Sequence, residues 1–227
     1  MSFVTTLIVA VIGITSYVVL EPVVGRAAAD SDFFEITQSI TAEISFDTTA
    51  TDVTMSPTIP GISGGTANGN ATVVVSTNNT SGYNMTIQFA TGTAMQGDSE
   101  GGVINNYSPA SASVPDYNFS IGGSGTPGEF AYSVQASTSS DVDPTFLDNG
   151  AACGAGSNNT FDRCWFNAST TDGSTPIAET IINRSTETPA SGSTTTIHFR
   201  VSVPSNPSPL LQADTYTATA TLTATTN

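Results

Sequence analysis

Two cysteines, Cys153 and Cys164, bracket the segment CGAGSNNTFDRC, and the chain has no others. Two thiols cannot fill a tetrahedral zinc site alone, and the single histidine is not near them in sequence. In an exported chain such a pair reads as a disulfide. Closing so short a loop stabilises a fold by roughly 2 to 3 kcal/mol through entropy removed from the unfolded chain. The run DVDPTFLDNG places Asp141, Asp143 and Asp148 in one loop, a spacing that could offer oxygen ligands to Ca²⁺. It lacks the ordered EF-hand positions and the closing Glu, so a solvated acidic loop is the competing reading.

The lone histidine, His198, lies in TTTIHFRVSV, where Ile197, Phe199, Val201 and Val203 share one face. Period-two alternation turns His198 and Arg200 to the other side, toward water. A general base could sit there, although a solvated strand residue is the plainer reading. No phosphate loop, H-E-x-x-H helix or redox cysteine pair is present. The carboxylates are scattered, and glycoside chemistry depends on a separation that chain order does not give. The expectation is a protein that is not an enzyme and holds no cofactor beyond the calcium just considered.

Composition narrows the partners. The 227 residues are 38% hydrophobic and only 10% charged, enough apolar material for a core. There is no lysine; Arg26, Arg163, Arg184 and Arg200 face 19 acidic residues, for a net charge of -15. Nucleic acid and anionic lipid are disfavoured, because both need cationic groups to displace counterions.

The elements that would position these residues begin after an apolar opening. Phe3 to Leu20 is uncharged, Glu21 and Pro22 interrupt it, and Ala27, Ala28 and Ala29 form a small-residue cleavage pattern. Residues 1–29 thus read as a signal peptide, an N-terminal hydrophobic helix cut after Ala29, with an uncleaved membrane anchor as the alternative. Sec-type export to the cell surface or beyond follows, with membrane contact only through an uncleaved leader. No Lys or Arg precedes the apolar run.

Residues 30–227 read as one all-β domain. FFEITQSITAEISF alternates through Phe34, Ile36, Ile40, Ala42, Ile44 and Phe46, with Gln38 as the polar intruder. ATVVVSTNNTSGYNMTIQFAT supplies two strands about a tight turn, and DYNFSI, EFAYSVQA, RCWFN and TTTIHFRVSV add more. The terminal ADTYTATATLTATTN places Tyr216, Ala218, Ala220, Leu222 and Ala224 on one face and threonines on the other. Its expected partner is TTTIHFRVSVP, across the turn-forming SNPSPLLQAD. Nine or ten short strands at this spacing predict an antiparallel, immunoglobulin-like Greek-key β-sandwich. Its two densely alternating ends would build the core, with a loop-rich insertion at about 91–190.

VSTNNTSGYNMTI, followed much later by FRVSVPSNPSPLLQADTYTATATLTA, resembles small secreted bacterial surface proteins of the WxL-like and spore-coat-U or fimbrial type, including many from candidate-phyla bacteria. The likeness covers the alternating ends and not the middle. The Trp-x-Leu motif that names one of these families is absent, since Trp165 is followed by Phe166 and Asn167. The resemblance implies a surface or fibre-forming β-sandwich.

The stretch from Phe34 to Phe46 would extend about 43 Å at ~3.3 Å per residue, more than twice a usual strand. It either switches sheets within its own sandwich or sends its first half into a neighbour, with Phe34, Ile36 and Ile40 as plugs. The expected function is a cell-surface structural subunit of a pilus, fibre or surface layer that self-associates. The alternative is an adhesin or glycan-binding module, with Tyr107, Tyr117, Trp165 and Phe166 as candidate stacking groups. Asn-x-Ser/Thr triplets begin at Asn70, Asn78, Asn79, Asn84, Asn106, Asn118, Asn158, Asn167 and Asn183, each a possible sugar acceptor in an archaeal or eukaryotic host.

Overall fold

A computed structural model describes residues 31–90, 92–119, 121–168 and 177–227. The leader read over residues 1–29 lies outside the described residues. Among those described, no helix is long and apolar enough to cross a membrane. The chain divides into two units, Met1–Ile40 and Thr41–Asn227. In the first, residues 31–40 form no strand, and Phe34, Ile36 and Ile40 are 81%, 85% and 84% exposed.

The second unit is all-β. Its large sheet uses β1 (Ile44–Thr48), β2 (Gly65–Thr77), β4 (Met95–Gly97), β5 (Val103–Asn106), β6 (Glu129–Ala136), β9 (Ser193–Val203) and β10 (Tyr216–Thr217) in the order β1-β2-β9-β6-β5-β4-β10. The short β7 (Phe166–Asn167) also pairs with β6. A second sheet has the order β11-β3-β8, from β3 (Tyr83–Phe89), β8 (Glu179–Arg184) and β11 (Ala220–Thr226). All pairings are antiparallel except β5 with β6.

Alternation places the core between the sheets. Val73 and Val75 of β2, Phe130, Tyr132 and Val134 of β6, and Ile197 and Val201 of β9 are buried with Tyr83, Met85, Ile87 and Phe89 of β3 and Ile181 and Ile182 of β8. Burying a side chain of this size contributes roughly 1.5 to 3 kcal/mol, so the two facing layers are the main source of stability. The region 91–190 shares in this core: it supplies the central strand β6, the edge strand β8, and the buried Val142, Phe146 and Phe166.

Two pairings differ from expectation. The strand expected from Phe34 begins only at Ile44, which pairs with Thr77 at the very end of β2. Upstream of Ile44, β2 has turned away. The Asn78 side chain instead bonds the Glu43 N–H and Thr41 carbonyl, and the Thr77 hydroxyl donates to the Glu43 carbonyl at 2.6 Å. The terminal ribbon does not pair with β9, because β9 is already flanked by β2 and β6. The ribbon breaks after Thr217: β10 pairs with β4 in the large sheet, and β11 crosses to pair with β3 over its whole length.

Asn227 is fixed at the β2–β3 turn. Gly82 sits there at φ +77°, where a Cβ would collide with the Arg184 carbonyl. The Asn79 amide bonds the carbonyls of Gly82 and Asn227, and the Asn227 amide bonds those of Ser81 and Arg184.

Candidate assembly surface and the covered outer face

The cysteines form the expected disulfide, with Cα atoms 5.7 Å apart. The three aspartates of the neighbouring loop have separate partners. Asp141 is buried and receives Arg184 Nη1 at 2.5 Å and the Ser193 hydroxyl at 3.3 Å. Asp143 caps the short 3₁₀ turn Pro144–Phe146, accepting from the Thr145 N–H and hydroxyl. Asp148 is buried and accepts from the N–H groups of Gly150 and Thr160 at 2.8 and 3.1 Å. Burial works against its charge, but bonds from Thr160, Gly150 and Asn158 outweigh it and hold its pKa below the ordinary carboxylate value. Among the described residues, no three His, Cys, Asp or Glu side chains gather where they could hold a metal ion.

His198 and Arg200 do lie on the outward face of β9, yet both are half-buried there. The segments around Tyr107–Phe119 and Phe161–Asn167 fold over it, making a second small core of Tyr107, Ala131 and Trp165 with Phe119 against them. Arg200 fastens this cover. Its guanidinium stacks 4.3 Å from the Trp165 ring centroid, bonds Asp162, and donates from Nε to Asn68 Oδ1 at 2.8 Å. Trp165 Nε1–H reaches the Asp162 carbonyl at 3.3 Å, and the Tyr107 hydroxyl donates to Asp116 at 2.6 Å. His198 is half-buried beneath Phe161, whose ring meets it edge-on at 4.9 Å. Burial lowers its pKa, partly countered by the Asp162 charge. Its Nε2 is buried with no partner among the described residues.

Three of the four candidate stacking aromatics, Tyr107, Trp165 and Phe166, are buried and present no free ring to a sugar. Tyr117 is half-buried with Arg163 5.0 Å from its ring centroid. It borders an open cleft of about 350 Å³ with Val114, Asp116 and Cys153.

One flank of the sandwich is formed by β1 and β11. Each has a strand neighbour on one side only, and the two edges meet across the gap between the sheets. Their inward residues, Ile44, Phe46, Leu222 and Ala224, pack against the core yet are only half-buried. The opposite edge of the small sheet is treated differently: Val142 bridges Ile182, and the Asp143 N–H bonds the Ile181 carbonyl, so β8 is partly covered. No family model, curated protein or solved structure matches the chain. The flank was not legible as an edge in the sequence, since β11 alternates as regularly as a strand paired on both sides.

Proposed function

We propose that this chain is a non-enzymatic extracellular structural subunit, built on an immunoglobulin-like sandwich, that joins copies of itself into a fibre or surface layer by strand addition. The order β1-β2-β9-β6 corresponds to the A-B-E-D sheet of that fold, while the opposite sheet departs from it in having β3 at its centre. One observation carries the assembly reading: residues 31–40 hold four large apolar side chains, Phe33, Phe34, Ile36 and Ile40, almost entirely in solvent. Three of them alternate as a strand would, and the second unit offers an open β11 edge over half-buried apolar groups.

Ten extended residues reach about 33 Å at ~3.3 Å each, enough to run along the seven residues of β11 in a neighbouring copy. Main-chain hydrogen bonds would hold the added strand, and Phe34, Ile36 and Ile40 would each contribute roughly 1.5 to 3 kcal/mol on burial before ordering costs. The fixed partners of the acids, and the burial of three candidate aromatics, favour this reading over catalysis or sugar stacking. Negative-stain imaging of the protein with and without residues 30–40 tests it. Fibres or sheets from the full protein and monomers from the truncated one are expected. A truncated protein that still polymerises, or a full-length one that stays monomeric, refutes strand addition.

A further inference from the structure

Nine of the 15 asparagines begin an Asn-x-Ser/Thr triplet. Serine and threonine make up 65 of the 227 residues, so chance alone would give about four such triplets. The fold divides these nine sharply. The side-chain amides of Asn78, Asn79 and Asn106 are committed to backbone groups: Asn78 to Thr41 and Glu43, Asn79 to Gly82 and Asn227, and Asn106 to Gly92 and Ala94. Asn158 supports the Asp148 carboxylate, Asn84 and Asn167 are half-buried, and the triplet of Asn118 ends outside the described residues.

Two remain. Asn183 lies on β8 opposite Asn84, and Asn70 lies on β2 opposite His198. Both are exposed, neither side chain has a hydrogen-bond partner among the described residues, and the hydroxyl residues two places on, Ser185 and Thr72, are exposed as well.

We propose that Asn183 and Asn70 are sites of N-linked glycosylation, and that the amides of Asn79 and Asn106 are reserved for the fold. The donor is a polyprenyl-phosphate-linked oligosaccharide acted on by a membrane transferase. The asparagine Nδ2 bonds to the anomeric carbon, the bond from that carbon to the carrier phosphate oxygen breaks, and the carrier leaves with the electron pair. One amide proton passes to a base of the transferase, so nothing is oxidised or reduced. Two exposed strand positions accept a glycan without losing a hydrogen bond, whereas capping Asn79 would release Asn227 from the β2–β3 turn. None of the nine triplets lies on β1 or β11, so a glycan coat leaves the proposed assembly flank bare.

This inference rests on the export reading above, and the test separates the two. The protein is purified from the cells that encode it, its cellular fraction recorded, and its intact mass and glycopeptides measured. A mass above that of the polypeptide is expected, with one glycan lost in each of Asn183→Gln and Asn70→Gln and both lost in the double variant. Asn79→Gln and Asn106→Gln are expected to keep both glycans. A bare protein outside the membrane overturns glycosylation and leaves export standing; a bare protein inside overturns both. Glycans on Asn79 or Asn106 in the double variant overturn the structural selection.

Discussion

Reducing the Cys153–Cys164 disulfide isolates the contribution of one cross-link, because both sulfurs stay in place. The bridged residues are 11 apart, and the chain-entropy relation gives about 2.8 kcal/mol at 25 °C for a loop of that length. For a domain of this size each kcal/mol moves Tm by roughly 2 to 4 °C, so complete reduction should lower Tm by roughly 6 to 11 °C. The native loop has other ties that survive reduction: Asp148 bridges both Cys153 and Asn158, and Arg200 holds Asp162 and Trp165 at its far end. Emission from Trp165, the one tryptophan in the chain, should therefore stay that of a buried indole below the transition, in reduced and oxidised protein alike. The assay is differential scanning calorimetry with and without a phosphine reductant, with thiol titration to prove that both sulfurs are free and tryptophan emission followed in parallel. A Tm change below about 2 °C in fully reduced protein would refute the reasoning, since it would mean that the loop opens outside the cooperative unit. A red-shifted emission at low temperature would refute the claim that Arg200 secures the cover independently.

Arg184→Ala leaves the Asp141 carboxylate buried without its cation and should destabilise the protein by about 3 to 5 kcal/mol in urea unfolding, whereas Arg184→Met with Asp141→Leu should cost much less. Arg200→Leu should shift Trp165 emission to the red by loosening the cover while leaving far-ultraviolet circular dichroism unchanged. His198 has a lowered folded pKa, so the unfolded chain binds its proton first. Its stabilisation is full above the ordinary histidine value and declines as pH falls from there to the folded pKa. His198→Leu should remove that part of the decline, read as a smaller loss of Tm between pH 7.5 and 5 than in the wild type. If assembly runs along the flank, added salt should accelerate it by screening the net charge of -15; turbidity that falls with salt would contradict this.

Much of the local structure was legible because a strand's two faces are a property of its own residues. The alternation in TTTIHFRVSV placed Ile197, Val201 and Val203 on the buried side, with Phe199 half-buried against the same core. The closing ribbon likewise turned Leu222 and Ala224 inward and Thr221, Thr223 and Thr225 outward. The proximity of Cys153 and Cys164 in an otherwise thiol-free chain was enough for the disulfide.

Pairing was a different matter, because it depends on which edges are already taken. β9 had no edge left for the terminal ribbon, and β2 ended before it could extend β1 back to Phe34. The outward face of β9 reads as solvated in its own sequence. It is partly covered by residues about 30 to 90 positions away, so His198 and Arg200 are half-buried by chain that no local pattern announces. The acids of DVDPTFLDNG look like neighbours in sequence, yet the 3₁₀ turns and the Arg184 pair send them to separate partners. Residue order by itself determined which way the side chains point in most of the strands that form and which sulfurs join, both short-range consequences of backbone geometry and covalent reach. Tertiary structure alone decided which strands are edges, which polar face is covered and which asparagine amides stay free, because each of these depends on contacts between segments far apart in the chain.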